Sequence, residues 1–301
     1  MAVRGRRRPR PVLTPPAPAG LPAPSALELD RRAWRRSRSR RSTLVALCST
    51  LLFAVVAYLA VTRSPGWPRV QATFFSPSVA LDSLPEIARG LLLNLKVLVV
   101  GGLLVFVCGL TVAVLRTLRG PAFAPVRIVA TLYVDVFRGM PLIIVLYLVG
   151  FGFPALRLQG MPTSPFVLGT AAIVLTYSAY VAEVFRAGIE SVHPSQRAAA
   201  RSLGLTHRQT MRIVVLPQAL RTVTPALLND FVSLQKDVGL ISVLSAVDAV
   251  RAAQILVGRS FNFTPYVVAG LLFVLLAVPS ARIADTVAAR ARRRQQSGSL
   301  L

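Results

Sequence analysis

Histidine, lysine, cysteine and acid are all scarce in this chain of 301 residues, which has 2 His and 2 Cys, with 11 Asp and Glu against 35 Lys and Arg. Cys48 and Cys108 both fall in apolar runs, where a thiol behaves as a small hydrophobe. Two cysteines so far apart supply neither a disulfide framework nor metal-ligand spacing. His193 and His207 sit in a polar stretch and read as surface residues. The only lysines, Lys96 and Lys236, do not follow a glycine, so the Gly-x-x-x-x-Gly-Lys-Ser/Thr phosphate loop is missing. His-Glu-x-x-His and Gly-x-Ser-x-Gly are missing too. The chain is therefore expected to be no enzyme, and to carry no cofactor or metal of its own.

Apolar sequence is what it has in quantity: 54% is hydrophobic and the mean hydropathy is +0.60. A helix that crosses the hydrocarbon core of a bilayer needs about 20 mostly apolar residues. Segments 43–62 and 166–185 meet that length, as do 91–115 and 128–150, the last carrying Asp135 and Arg138. A fifth candidate is 266–284, and a sixth falls within 223–243, blurred by Asp230, Lys236 and Asp237. Runs of this length are helical rather than the short alternating strands of a barrel. The fold expected is an all-α membrane protein of about six spans.

The net charge of +24 raises nucleic acid as a partner, but its placement argues for topology. If both termini lie in the cytoplasm, the cytoplasmic segments hold 26 Arg and the external ones 5. The positive-inside rule predicts that asymmetry, so a multi-pass plasma-membrane protein without nucleic acid is expected. Residues 1–42, basic and proline-rich without apolar periodicity, read as a disordered cytoplasmic tail. Their final Arg cluster abuts the anchor helix 43–62 and suits anionic lipid headgroups. Residues 86–290 form the main membrane domain, and 291–301 a second cytoplasmic tail.

Charges inside spans cost about 2.5–3.5 kcal/mol on insertion scales, so they face a cavity or a partner. Asp135 and Arg138 share a helix face and suit mutual neutralisation. Glu183 has Arg186 at the same spacing, with the arginine expected to snorkel to the interface. Tyr177, Tyr180 and Glu183 lie along one stripe. That stripe suits an ammonium-bearing solute, and equally suits hydrogen bonding between helices.

Between the fourth and fifth spans runs QRAAARSLGLTHRQTMRIVVLP, residues 196–217, a polar helical hairpin inside a 190–217 loop. Ser195 is expected to cap its first helix and Gly204 to end it in the left-handed conformation. Thr206 with Gln209 spells a capping box. Leu216-Pro217 is expected to close the second helix, because the residue before proline avoids helical angles.

These residues resemble the signature cytoplasmic loop of the integral-membrane subunits of ATP-binding-cassette importers. That loop reads Glu-Ala-Ala, three residues, Gly, nine residues, Ile-x-Leu-Pro. Ala199, Ala200, Gly204, Leu216 and Pro217 match, while Ala198 replaces the Glu and Val214 the Ile. Segments 131–156, 178–192, 216–221 and 234–244 resemble the polar amino acid permease branch of that family (histidine, glutamine or glutamate type). Met140 and Val238-Gly239 depart from its usual residues.

The resemblance implies a five-helix permease core, to which the N-terminal anchor adds one helix. It also implies a second permease subunit, identical or paralogous, separate ATPase subunits that hold ATP and Mg, and an extracytoplasmic solute-binding protein. Ser195, Ala199, Ala200, Gly204, Leu205, Thr206, Gln209, Leu216 and Pro217 would couple the chain to the ATPase. Tyr177, Tyr180, Glu183 and Asp135 would line the solute path. The rivals are a permease for another small solute and an ion-coupled secondary transporter that uses Asp135 and Glu183. A third is a lipid- or nucleic-acid-binding protein acting through the basic tail.

Overall fold

A computed structural model describes residues 26–118 and 120–298, with side chains from 42 to 290. Every element among them is helical, and no strand occurs among the described residues. The residues up to Trp67 form one unit and those from Pro68 another.

The first unit is α1, Ala26–Thr62. The apolar half, Ser42–Thr62, is long and apolar enough to cross a membrane. Helix begins at Ala26, so 26–42 is not the disordered segment expected from its charge. Leu27, Glu28 and the arginines are good helix formers, and extending a helix already nucleated by the apolar half costs far less than starting one. Residues 1–25, the rest of the expected tail, lie outside the described residues.

The second unit opens with α2, Trp67–Phe74, and the 41-residue α3, Pro77–Thr117. A 3₁₀ turn leads into α4, Ala124–Gly139, followed by α5, Leu142–Tyr147. A π turn at Leu148–Gly152 and α6, Phe153–Ala155, prolong α5. The segment 128–150 is therefore no straight span: its two halves meet at 107°. Met140 is extended, with φ −96° and ψ 137°, because the ring of Pro141 excludes helical angles from the residue before it.

Helix α7, Pro165–Ser191, is the hub. It packs against α3, α10, α4 and α5, and Ile173, Ala182 and Phe185 along it are buried. Close approach needs small residues on both sides. A Cβ on Gly109 of α3 would fall 2.6 Å from Val181, and one on Gly188 would fall 2.2 Å from Val223 of α10. Together with Val97, Val134, Leu146 and Ile241, these helices enclose the main core.

The hairpin follows as α8, Pro194–Ser202, and α9, His207–Gln209. From there the chain does not stop at Pro217. A π turn, Thr210–Val215, leads straight into α10, Leu216–Asp237. Proline clashes with the carbonyl four residues back, but within the wider turn Leu216 N–H donates to Met211 O, five residues back. The π turn absorbs the proline and the helix continues.

A 3₁₀ stretch, Val238–Leu244, and α11, Ala249–Ser260, extend α10 with a 50° bend. The sequence showed no helix at α11, which is only twelve residues long. It is fixed by a buried polar knot. Asn94 Nδ2 donates to Val238 O at 3.1 Å and to Asp248 Oδ2 at 2.9 Å, and Ala249 N–H donates to Asn94 Oδ1 at 3.1 Å. Helix α12, Thr264–Gly298, closes the fold. The expected C-terminal tail is thus helical through residue 298, with 299–301 outside the described residues.

Candidate functional site

The hairpin is ordered by local chemistry. Gly204 takes φ +80°, the left-handed position that glycine occupies without penalty. Leu205 N–H reaches Ala200 O at 3.2 Å and Gly204 N–H reaches Arg201 O at 3.0 Å, a Schellman closure of α8. Thr206 then caps α9: Gln209 N–H donates to Thr206 Oγ1 at 3.3 Å, and Thr206 N–H to Gln209 Oε1 at 2.9 Å. Both halves of the capping box form.

Ser195 is not the cap of α8. His193 holds that position, its Nδ1 accepting from Ser195 N–H at 3.2 Å. Pro194 fits the first helical position, where no N–H is needed, and this moves the cap to the residue before it.

A small core roots the hairpin in α7. Ile189 and Val192 at the end of α7 pack with Val215 and Ala219, and Arg197 donates to Ile189 O. Ala200 is buried at the same root. The hairpin's outward apolar side chains, Leu203 at 83% and Ile213 at 60% exposed, cover nothing among the described residues.

Where the hairpin joins the bundle, Glu183 gathers arginines from three helices. Arg116 of α3 lies 2.7 Å from Glu183 Oε2, and Arg186 reaches Oε1 at 2.5 Å and Oε2 at 3.1 Å. Arg138, at the end of α4, is 3.8 Å away. Arg186 also bonds Glu190 at 2.6 Å, so it is clamped rather than snorkelling. Asp135 is exposed and makes no ion pair among the described residues, because Arg138 turns to Glu183. Tyr180 sits beside that arginine, its hydroxyl donating to Arg138 O at 3.3 Å under a guanidinium 5.9 Å from its ring. A carboxylate this fully satisfied by guanidinium is poorly placed to receive a solute ammonium. Of the two readings of the stripe, these contacts of Glu183 and Tyr180 match bonding between helices.

Tyr177 faces elsewhere. Its hydroxyl donates to Asp237 Oδ2 at 2.6 Å, and its ring lines a cavity of about 100 Å³ with Phe106, Val181, Leu227, Asp230 and Leu234. Asp230 Oδ2 is buried there without a hydrogen-bond partner among the described residues. Sequence reading treated Asp230 only as a blemish in a hydropathy run. Its spacing of seven from Asp237, two turns along one helix, was the available signal. An unpaired carboxylate, a tyrosine and aromatic walls form a place that favours a cation.

Residues 106–293 match the family described as binding-protein-dependent transport system inner membrane component. The chain belongs to this family. This transport component is also similar to curated relatives. The arginine transport system permease protein ArtQ of Bacillus subtilis is 32% identical over 66% of this chain and 89% of its own length. The glutamate/aspartate import permease protein GltK of Escherichia coli O6:H1 is 38% identical over 60% of this chain and 81% of its own. Among solved structures, an amino acid ABC transporter with histidines aligns over 71% of this chain and 96% of its own, at 32% identity and a TM-score of 0.62. The MetNI methionine transporter aligns at 22% identity and 0.55, a likeness of fold. This component is thus a multi-pass membrane protein with the fold of importer permeases.

Proposed function

We propose that this chain is the permease subunit of an ATP-driven importer that carries a polar amino acid across the plasma membrane. Relatives that serve arginine and glutamate/aspartate support the substrate class, and the family supports a separate ATPase and a solute-binding protein as partners. ATP and Mg stay on the ATPase subunits. A second permease subunit completes the path, and both termini face the cytoplasm, as the arginine distribution favours.

One observation carries the mechanism. The second helix of the hairpin and the wall of the cavity are parts of one uninterrupted helical run from His207 to Asp237. A push on the capped elbow at Ser195–Pro217 is therefore delivered along α10 to Asp230 and Tyr177. Solute binding and nucleotide state bias the same element, which is what coupling between them requires. The amino acid's ammonium meets Asp230, with Tyr177 orienting the far side of the cavity. Glu183 and its arginines hold α3, α4 and α7 together at the hairpin's base.

The test is Gly204→Val. A β-branched residue at a left-handed position costs about 1–2 kcal/mol and breaks the Schellman closure without touching the spans. In proteoliposomes with the ATPase subunits, ATP hydrolysis should continue while uptake per ATP falls roughly tenfold, the loss that this cost predicts if it falls on the coupled state. Uptake per ATP equal to wild type would remove the hairpin from the mechanism.

A further inference from the structure

At the end of the bundle away from the hairpin, α2 is clasped to the turn between α11 and α12. Asn262 Nδ2 donates to Ala72 O at 2.8 Å, Phe263 N–H to Thr73 O at 2.7 Å, and Ser76 N–H to Thr264 Oγ1 at 3.1 Å. The distance from the hairpin follows from α3, which starts at this clasp and ends at Arg116 beside Glu183. Forty-one helical residues separate the two ends, enough at 1.5 Å per residue to cross a bilayer.

The clasp presents aromatic rings outward. Phe74 stacks on Phe263 at 5.3 Å, and Phe263 meets Tyr266 at 6.3 Å. Phe75 is 55% and Phe261 81% exposed. Phe261 takes φ +51°, a conformation that glycine would occupy without strain. A bulky ring held outward in a strained position indicates that the ring meets something.

What it meets follows from the continuity of the surface. From the turn before α12 and along that helix, Phe263, Tyr266, Gly270, Val274 and Val278 fall three or four apart and are all exposed. The rings are thus the terminus of the helix face that runs aliphatic through the membrane-crossing part of α12. Aromatic residues capping such a face mark the headgroup level of a bilayer. Charge separates the two sides of the clasp: α2 carries Arg69 and no carboxylate, whereas Arg259 of α11 lines a pocket with Glu86 and Arg89 of α3.

We propose that Phe74, Phe75, Phe261, Phe263 and Tyr266 form a bilayer-interface anchor that seats in the phospholipid headgroup layer, with Arg69 toward the phosphates. The anchor holds the starts of α3 and α12 at fixed depth, so the hairpin works against a stationary end.

The test uses the full chain with Trp34 and Trp67 replaced by Phe and Phe261→Trp as the sole indole. In vesicles of phosphatidylcholine brominated near the ester end of one acyl chain, its emission should fall roughly twofold relative to unbrominated lipid, as expected for a ring at the interface. Aqueous iodide should change it little. Should Phe261→Trp fail to insert, Phe75→Trp on the other side of the clasp gives the same reading. Strong iodide quenching with no bromine effect would overturn the anchor. Iodide quenching that disappears when a soluble binding protein is added would give this surface to a protein partner instead.

Discussion

The apolar half of α1 and helix α7 make an instructive pair, because the more apolar of the two is the less buried. None of the most apolar window of Ser42–Thr62 is buried, against 61% of that of Pro165–Ser191. The α7 window is nonetheless the less hydropathic, and the helix carries Glu183, Arg186 and Glu190. In water this order would be absurd. In a bilayer the solvent itself is apolar, so a lipid-facing helix needs only greasy side chains, whereas an interior helix needs small residues and polar links to its neighbours. Gly188 against Val223 and Tyr133 bonded to Ser178 at 2.6 Å are such links. Hydropathy locates spans; the pattern of small and polar residues locates the centre.

The largest expected effect breaks that centre at its charged end. Glu183→Ala removes the carboxylate that Arg116, Arg138 and Arg186 share, while Arg186 keeps Glu190. Removing one partner of a buried ion pair costs about 3–5 kcal/mol because the other charge is left uncompensated. Here two of the three arginines are at least 30% exposed, so the lower figure of about 3 kcal/mol applies. Thermal unfolding in detergent should show the loss, with Glu183→Asp recovering part of it. A Glu183→Ala variant as stable as wild type, yet unable to bind solute, would return Glu183 to the solute path.

That prediction also marks the limit of what sequence could tell. Both the Schellman closure at Gly204 and the capping box at Thr206 were readable because each is closed by residues within six positions of one another. Local hydropathy located the spans as well: four helices among the described residues are long and apolar enough to cross a membrane, and the count reaches six when each bent pair is taken as one span. The Glu183 cluster was not readable, since Arg116 lies 67 positions away and the nearer candidate, Asp135, offered Arg138 a simpler pairing. The orphan carboxylate of Asp230 looked like a defect in a span until the fold put Tyr177 and Phe106 around it. Pro217 misled for a different reason. The rule that proline ends a helix is sound for an α-helix, but a π turn just before it supplies the slack.

A smaller effect is expected at the centre's apolar end. Ile173 of α7 is fully buried in the main core, and Ile173→Ala should destabilise by about 1–3 kcal/mol. This lies below the range for soluble cores, because an unfolded helix in lipid keeps the side chain in hydrocarbon and only packing is lost. Steric trapping or thermal unfolding in mixed micelles would read it.

The smallest effect belongs to α1, and its smallness completes the comparison. Leu51 is 66% exposed in the more hydropathic of the two helices. If hydropathy measured contribution to stability, Leu51→Ala would match or exceed Ile173→Ala. If α1 faces lipid, both folded and unfolded states leave Leu51 in lipid, and the change should stay within about 0.5 kcal/mol, as for other surface substitutions. Measured in the same micelles, the two variants should differ severalfold, with Ile173→Ala the worse. A Leu51→Ala loss equal to that of Ile173→Ala would mean that α1 is packed against protein over that face. Helix α1 would then have to be redescribed as part of an interface.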